Sequence, residues 1–308
     1  MSAATDSFLL VFAVLLAAIE LLTGGSSRLS YAAIACSITV LSAVLIPWMR
    51  SKSGNLLVRL LYIVYVLPLL YLLYPVTQDL ARTLHGRTYD DLLIAIDQFL
   101  FGGMDPTRWL FAHIHLAPAI VEIFQLSYFA YYLYPLVLLT DLFLRRKELD
   151  LSEFRLIMVY GAAVSFIGNM VVPAVGPRFT LHEFANLGRE LPGAWITDNI
   201  RALINKAEGV NALMTSTQAS PVVFPDAFPS GHTMLTLLAL IMSFRYHSPV
   251  RWYLLPLGCC LILATIFLRY HYVTDVIGGA LLALFIIWTA PALARVLSKL
   301  FSGRTSTT

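Results

Sequence analysis

Eight runs of apolar residues decide the solvent of this chain before any motif is read. They cover residues 7–23, 30–49, 57–75, 118–144, 155–175, 231–244, 252–268 and 272–290. Most approach the roughly 20 residues that an α-helix needs to cross about 30 Å of hydrocarbon. Within lipid only a helix or a closed barrel satisfies its own backbone, and runs of this length predict helices. The expected fold is therefore all-α, a polytopic transmembrane bundle of about eight spans. Composition agrees, because 58% of residues are hydrophobic and only 13% charged, too little charge for a dispersed soluble surface. Met1 to Asp6 hold no Lys or Arg, and no small-residue cleavage site follows. The first run is thus expected to be a retained span rather than a cleaved signal peptide.

The net charge of +3 is too small to suggest nucleic acid, but its placement is informative. Arg50, Lys52 and Arg59 form one group, and Arg145, Arg146, Lys147 and Arg155 a second. Arg245 and Arg251 form a third, and Arg295, Lys299 and Arg304 a fourth. With eight spans all four groups fall on one side, which the positive-inside rule makes cytoplasmic. Both termini then lie inside, and the loops carrying Arg178, His232 and His271 face out. Cys36, Cys259 and Cys260 lie inside expected spans and read as small apolar residues.

Four regions follow. Residues 1–76 hold N-terminal spans, and 77–117 hold interfacial helices. Residues 118–297 form the core, with an outer loop at 176–229, and 298–308 form a cytoplasmic tail. In the second region, Tyr89 to Phe101 carries apolar residues at helical spacing up to Gly102-Gly103, which predicts an amphipathic helix. A short helix from Thr107 to His115 follows Pro106. The outer loop holds one expected helix near Thr197–Lys206. Its length points to a lid or an acceptor-binding element.

Three elements carry chemistry. Ser230-Gly231-His232 opens an apolar run. Ser230 can cap that helix, and free amides at a helix start bind phosphate. Alone, the tripeptide is a weak signal and reads more readily as a capped helix start with an incidental histidine. His271 and Asp275 are four residues apart on one helical face. A carboxylate there fixes the imidazole tautomer and leaves the other nitrogen nucleophilic. The alternative is a structural pair, although ionisable groups at a span end are costly enough to favour function. Arg178 follows Gly176-Pro177. It is either a bidentate phosphate ligand or a snorkelling interfacial cation, and the same choice applies to Arg269.

In this order and on one membrane face, Arg178, Pro229-Ser230-Gly231-His232, His271 and Asp275 resemble the type 2 phosphatidic acid phosphatase superfamily. Asp97-Gln98-Phe99-Leu100-Phe101-Gly102 with Pro106, and His271-Tyr272-Val273-Thr274-Asp275, are similar to its inositol phosphorylceramide synthase-like branch. The resemblance covers roughly residues 90–290 and departs at three points. Val171 stands where the wider pattern has lysine, proline precedes rather than follows Arg178, and Thr265 stands where an arginine is expected.

The resemblance implies a six-helix phosphatase-like core with extra N-terminal helices. It also implies a lipid phosphatase or phosphotransferase of the cell membrane acting through a phosphohistidine, without metal or cofactor. His271 would attack phosphorus, Asp275 would orient it, and His232 would protonate the leaving alcohol and then deprotonate the acceptor. Arg178, Arg269, Ser230 and Gly231 would hold phosphate oxygens. The partners would be a membrane lipid phosphate and, as acceptor, water or a polyol or lipid alcohol. The other five histidines, His85, His113, His115, His182 and His247, receive no role. Glu122 and Asn169 read as helix–helix hydrogen-bonding residues or as a lipid entry. A channel or transporter is the competing class.

Overall fold

The computed structural model describes residues 3–23, 28–52 and 54–302. Met1 and Ser2 of the signal-peptide reading, and residues 303–308 of the expected tail with Arg304, lie outside these.

The chain opens with α1 (Ala3–Thr23) and α2 (Arg28–Ser51). A broken span follows, formed by α3 (Leu56–Val64) and α4 (Val66–His85). Pro68 has no amide to donate to Val64, and the helix breaks at Tyr65, just ahead of it. Although the third apolar run ends near residue 75, α4 continues ten residues further. Thr77, Gln78, Leu80 and Ala81 are buried, so packing extends the helix past the polar boundary. Gly86, with φ of 63°, ends it by donating to the Arg82 carbonyl.

Two short helices follow where helices are expected, α5 (Asp90–Leu100) and α6 (Pro106–His113). Asp105 caps α6 by accepting from the Arg108 amide. A second broken span comprises α7 (Pro118–Phe129) and α8 (Leu133–Leu144), joined by a 3-10 turn at Ala130–Tyr132. Next comes α9 (Glu148–Val171), the central helix, which packs against α1, α4, α8 and later core helices.

The outer loop is folded rather than extended. It holds α10 (Pro177–Thr180), α11 (Leu187–Glu190), α12 (Thr197–Ala207) and α13 (Ser216–Ala219). Phe179, Phe184, Leu187, Leu191 and Val223 share an apolar cluster with Val121, Tyr128 and Leu268 of the spans. The loop therefore sits as a cap over one end of the bundle.

The chain ends with α14 (Gly231–Arg245), α15 (Arg251–Phe267) and α16 (Val273–Ser302). Here α14 packs between α9, α15 and α16, and its Met234, Leu238 and Met242 are fully buried in the largest core cluster. Among the described residues, six segments are long and apolar enough to cross a membrane: 4–23, 31–49, 56–85, 118–144, 148–171 and 273–300. The other two expected spans are also helices, but α14 has only 15 residues and α15 only 17. The molecule is an all-α polytopic bundle of a multi-pass integral membrane protein.

Candidate active site

The site is assembled where three turns meet at the capped end of the bundle. The first is the start of α14. Ser230 is its N-cap, accepting from the Thr233 amide at 3.2 Å, while its own amide donates to the Asp275 carbonyl at 3.0 Å. That bond ties the start of α14 to the first turn of α16. Gly279 permits the close approach, because a Cβ there would lie 2.4 Å from the Ser230 carbonyl oxygen.

The second turn joins α15 to α16. The amides of Tyr270 and His271 both donate to the Thr265 carbonyl at 2.9 Å. Thr265, at the family's arginine position, is fully buried with its hydroxyl on the Ile262 carbonyl. Arg269 takes a left-handed φ of 64°, and its carbonyl accepts from the Arg178 amide at 3.0 Å. Gly176 opens the third turn with φ of 92°, and a Cβ there would meet the Tyr270 carbonyl oxygen at 2.6 Å. Only glycine suits both that angle and that contact.

These turns bring the histidines into contact. His271 Nε2 lies 3.4 Å from His232 Nδ1. His271 Nδ1 is 2.8 Å from the Ala227 carbonyl oxygen, which can only accept. The proton is therefore on Nδ1, and Nε2 carries the lone pair. Asp275 Oδ2 is further from Nδ1, at 3.4 Å, and accepts instead from the Tyr272 amide at 2.8 Å. Burial pushes the His271 imidazole down to about 4, against the pull of the Asp226 charge, which keeps the ring neutral at physiological pH. His232 is held between Tyr128 (centroids 4.3 Å apart) and Tyr131 (4.4 Å).

The arginines have different surroundings. Arg178 is buried, pairs with Glu208 and stacks its guanidinium 4.6 Å over the Tyr270 ring. Tyr270 stacks on Tyr128, which stacks on His232, so a column of planar groups runs from cation to imidazole. Burial opposes the charge on Arg178, but Glu208, Tyr270 and Tyr128 together outweigh it and the net shift is upward. Arg269 faces elsewhere. Its guanidinium pairs with Glu190 at 2.5 Å and lies 4.1 Å over the Phe111 ring. Val171, at the family's lysine position, is 59% exposed at the end of α9.

The structure thus gathers His232, His271, Asp275, Ser230 and Gly231, with Arg178 one stacked column away. The Arg269 backbone belongs to the site, whereas its side chain packs against the cap. Several supporting residues lie outside the histidine motifs, although Asp97 opens the stretch similar to the synthase-like branch. Asp90 on α5 accepts from the amides of Val175 and Gly176 and from the Tyr272 hydroxyl. Asp97, seven residues on and on the same face, accepts from the amides of Val273 and Thr274 and from the Thr274 hydroxyl. Glu122 on α7 reaches the start of α12, where the Thr197 hydroxyl donates to it. Its carboxylate gathers the amides of Ala194, Trp195, Ile196 and Thr197 and anchors the cap. Asn169 donates to the Asp226 carbonyl at 2.8 Å.

Residues 91–289 match the PAP2 superfamily, and the chain belongs to that superfamily of phosphatases. It is similar to the bacitracin transport permease protein BcrC of Bacillus licheniformis, 38% identical over 73 residues, covering 22% of this chain and 36% of that protein. It is also similar to a PA-phosphatase related-family protein of Dictyostelium discoideum, 27% identical over 228 residues, covering 64% of this chain and 39% of that protein. The matched regions thus span little more than a third of either relative. No solved structure is significantly similar to this chain.

Proposed function

We propose that this protein is a lipid phosphate phosphatase or phosphotransferase that works through a phosphohistidine on His271, without a metal. The observation that carries the reading is the tautomer of His271. Its Nδ1–H is committed to the Ala227 carbonyl, so Nε2 presents a lone pair beside His232.

In the first step Nε2 attacks phosphorus, the bond to the lipid alcohol breaks, and His232 protonates the departing oxygen. In the second step an acceptor hydroxyl gives its proton to His232 and attacks phosphorus. The nitrogen–phosphorus bond then breaks and His271 is restored. Arg178 and the first amides of α14 balance charge on the phosphate oxygens. Arg269 supports this site through its backbone, since its guanidinium lies over Phe111 and against Glu190 rather than on the stacked column that reaches His232. The acceptor is water or a polyol or lipid alcohol. The stretches 97–102 and 271–275, which meet where Asp97 accepts from the Val273 and Thr274 amides, are the ones similar to the inositol phosphorylceramide synthase-like branch.

The test is turnover and acid-labile phosphoenzyme in purified protein with EDTA, across diacyl, polyprenyl and sphingoid phosphates, with and without inositol. His271→Ala is expected to abolish both signals. His232→Ala is expected to keep slow phosphorylation from an ester with a good leaving group, which needs little protonation. Equal loss in both variants with the activated ester would defeat this division of labour. The bacterial relative carries a transport name, and a transport reading makes the opposite forecast: vesicle flux without phosphate release, indifferent to His271→Ala.

A further inference from the structure

One group beside the histidines has no part in the steps above. Asp226 lies on the segment whose next residue, Ala227, holds His271. Its Oδ2 accepts from the Tyr74 hydroxyl on α4, and its backbone carbonyl is fixed by Asn169. Its Oδ1 accepts no hydrogen bond among the described residues.

The titratable and charged groups close enough to act on this carboxyl are Arg178 from α10, Glu208 from the end of α12, and His271 and Asp275 around the start of α16. Tyr128, Tyr131 and Tyr132 face it from the junction of α7 and α8. Arg178 is the one permanent cation in that set, and Glu208 already pairs with it. A phosphate dianion entering beside the histidines therefore meets a neutralised arginine and a second carboxylate. Unless that carboxylate loses its charge, it works against the attraction of Arg178 and the first α14 amides for phosphate.

We propose that Asp226 is the proton-linked gate of the phosphate site, taking up a proton when phosphate enters and donating Oδ1–H to a phosphate oxygen. The proton comes from solvent and returns there when phosphate leaves. This rests on the reading of the histidine pair as a phosphate site. Burial raises the Asp226 carboxyl to about 6, with Glu208 adding to the rise and Tyr74, His271 and Arg178 opposing it. Falling pH populates the neutral form, so anion binding strengthens as pH falls.

Dilute tungstate is the probe, a tetrahedral dianion with no proton of its own to exchange in the neutral range. Binding is measured by calorimetry on the full-length protein in detergent. One proton taken up by a group near 6 predicts a dissociation constant that rises about fiftyfold from about pH 6 to about pH 8. Asp226→Asn carries a permanently neutral amide of the same shape. It is expected to bind without pH dependence and, at about pH 8, about tenfold or more tightly than the unmodified protein. A damaged site would instead bind less tightly.

A flat profile in the unmodified protein overturns the gate whatever the variant does. A wild-type slope retained in Asp226→Asn overturns it as well, including the case in which Glu208→Gln removes the slope. The phosphohistidine reading fails separately: His271→Ala that still turns over would sink it, even with the tungstate profile as expected.

Discussion

The hydrogen bond from His271 Nδ1 to the Ala227 carbonyl limits what Asp275 contributes. Where a carboxylate alone fixes a histidine tautomer, replacement by an amide invites the wrong tautomer and a very large loss. Here a backbone carbonyl holds the proton on Nδ1 and the carboxylate sits second, at 3.4 Å. Asp275→Asn should therefore lose a charge interaction but not the tautomer. Turnover should fall about ten- to a hundredfold, the scale of one hydrogen bond to a charged group, with the melting temperature little changed. A loss of several thousandfold would return the main role to Asp275. His232, His271 and Asp275 were legible because each stands in a short motif at the mouth of an apolar run. Asp226, Glu208 and Tyr128 were not. Asp226 stands beside the motif without belonging to it, and Glu208 reaches Arg178 and Tyr128 reaches His232 only through packing of distant segments, which local spacing does not record.

The element that most repays inspection is α5. Its periodicity announced an amphipathic helix, and the observed Asp90–Leu100 matches the expected stretch within a residue at each end. Its buried face carries Asp90 and Asp97 besides Leu93, and their partners lie more than 80 residues away in sequence. Asp97 does for α16 what a cap residue does within its own chain segment, accepting from the first amides of the helix. Asp97→Ala leaves the Val273 and Thr274 amides and the Thr274 hydroxyl unpaired. The expected cost is about 2–4 kcal/mol, at roughly 1 kcal/mol or more per buried donor, read as a lower melting temperature in detergent. Turnover should fall with it, since the same turn carries His271. A variant with unchanged melting would show that the cap is dispensable.

At the scale of the whole molecule, spans were legible because about 20 apolar residues have few uses outside a bilayer. Sidedness is the least local of the expectations, resting on loop charge summed over the entire chain. In a background lacking the three cysteines, Thr217→Cys in the cap should react with an impermeant thiol reagent on intact cells, and Leu149→Cys at the start of α9 should not. The reverse pattern would invert the topology and place the cap and the histidine pair on the cytoplasmic side. Depth was invisible to residue type and emerges from α14 and α15. At 1.5 Å per residue, the 15 residues of α14 reach only about 22 Å, against about 30 Å of hydrocarbon. The helix that begins beside His232 falls short of the bilayer's thickness but has no exposed residue before Arg245, so the surrounding helices rather than lipid enclose it. On the proposed function, a lipid phosphate has to reach its site below the headgroup plane. Thickness itself then becomes part of the activation barrier. In phosphatidylcholine bilayers of increasing acyl length, turnover should fall steadily while detergent-measured stability stays fixed, and equal rates in thin and thick membranes would show that the substrate is met at the surface.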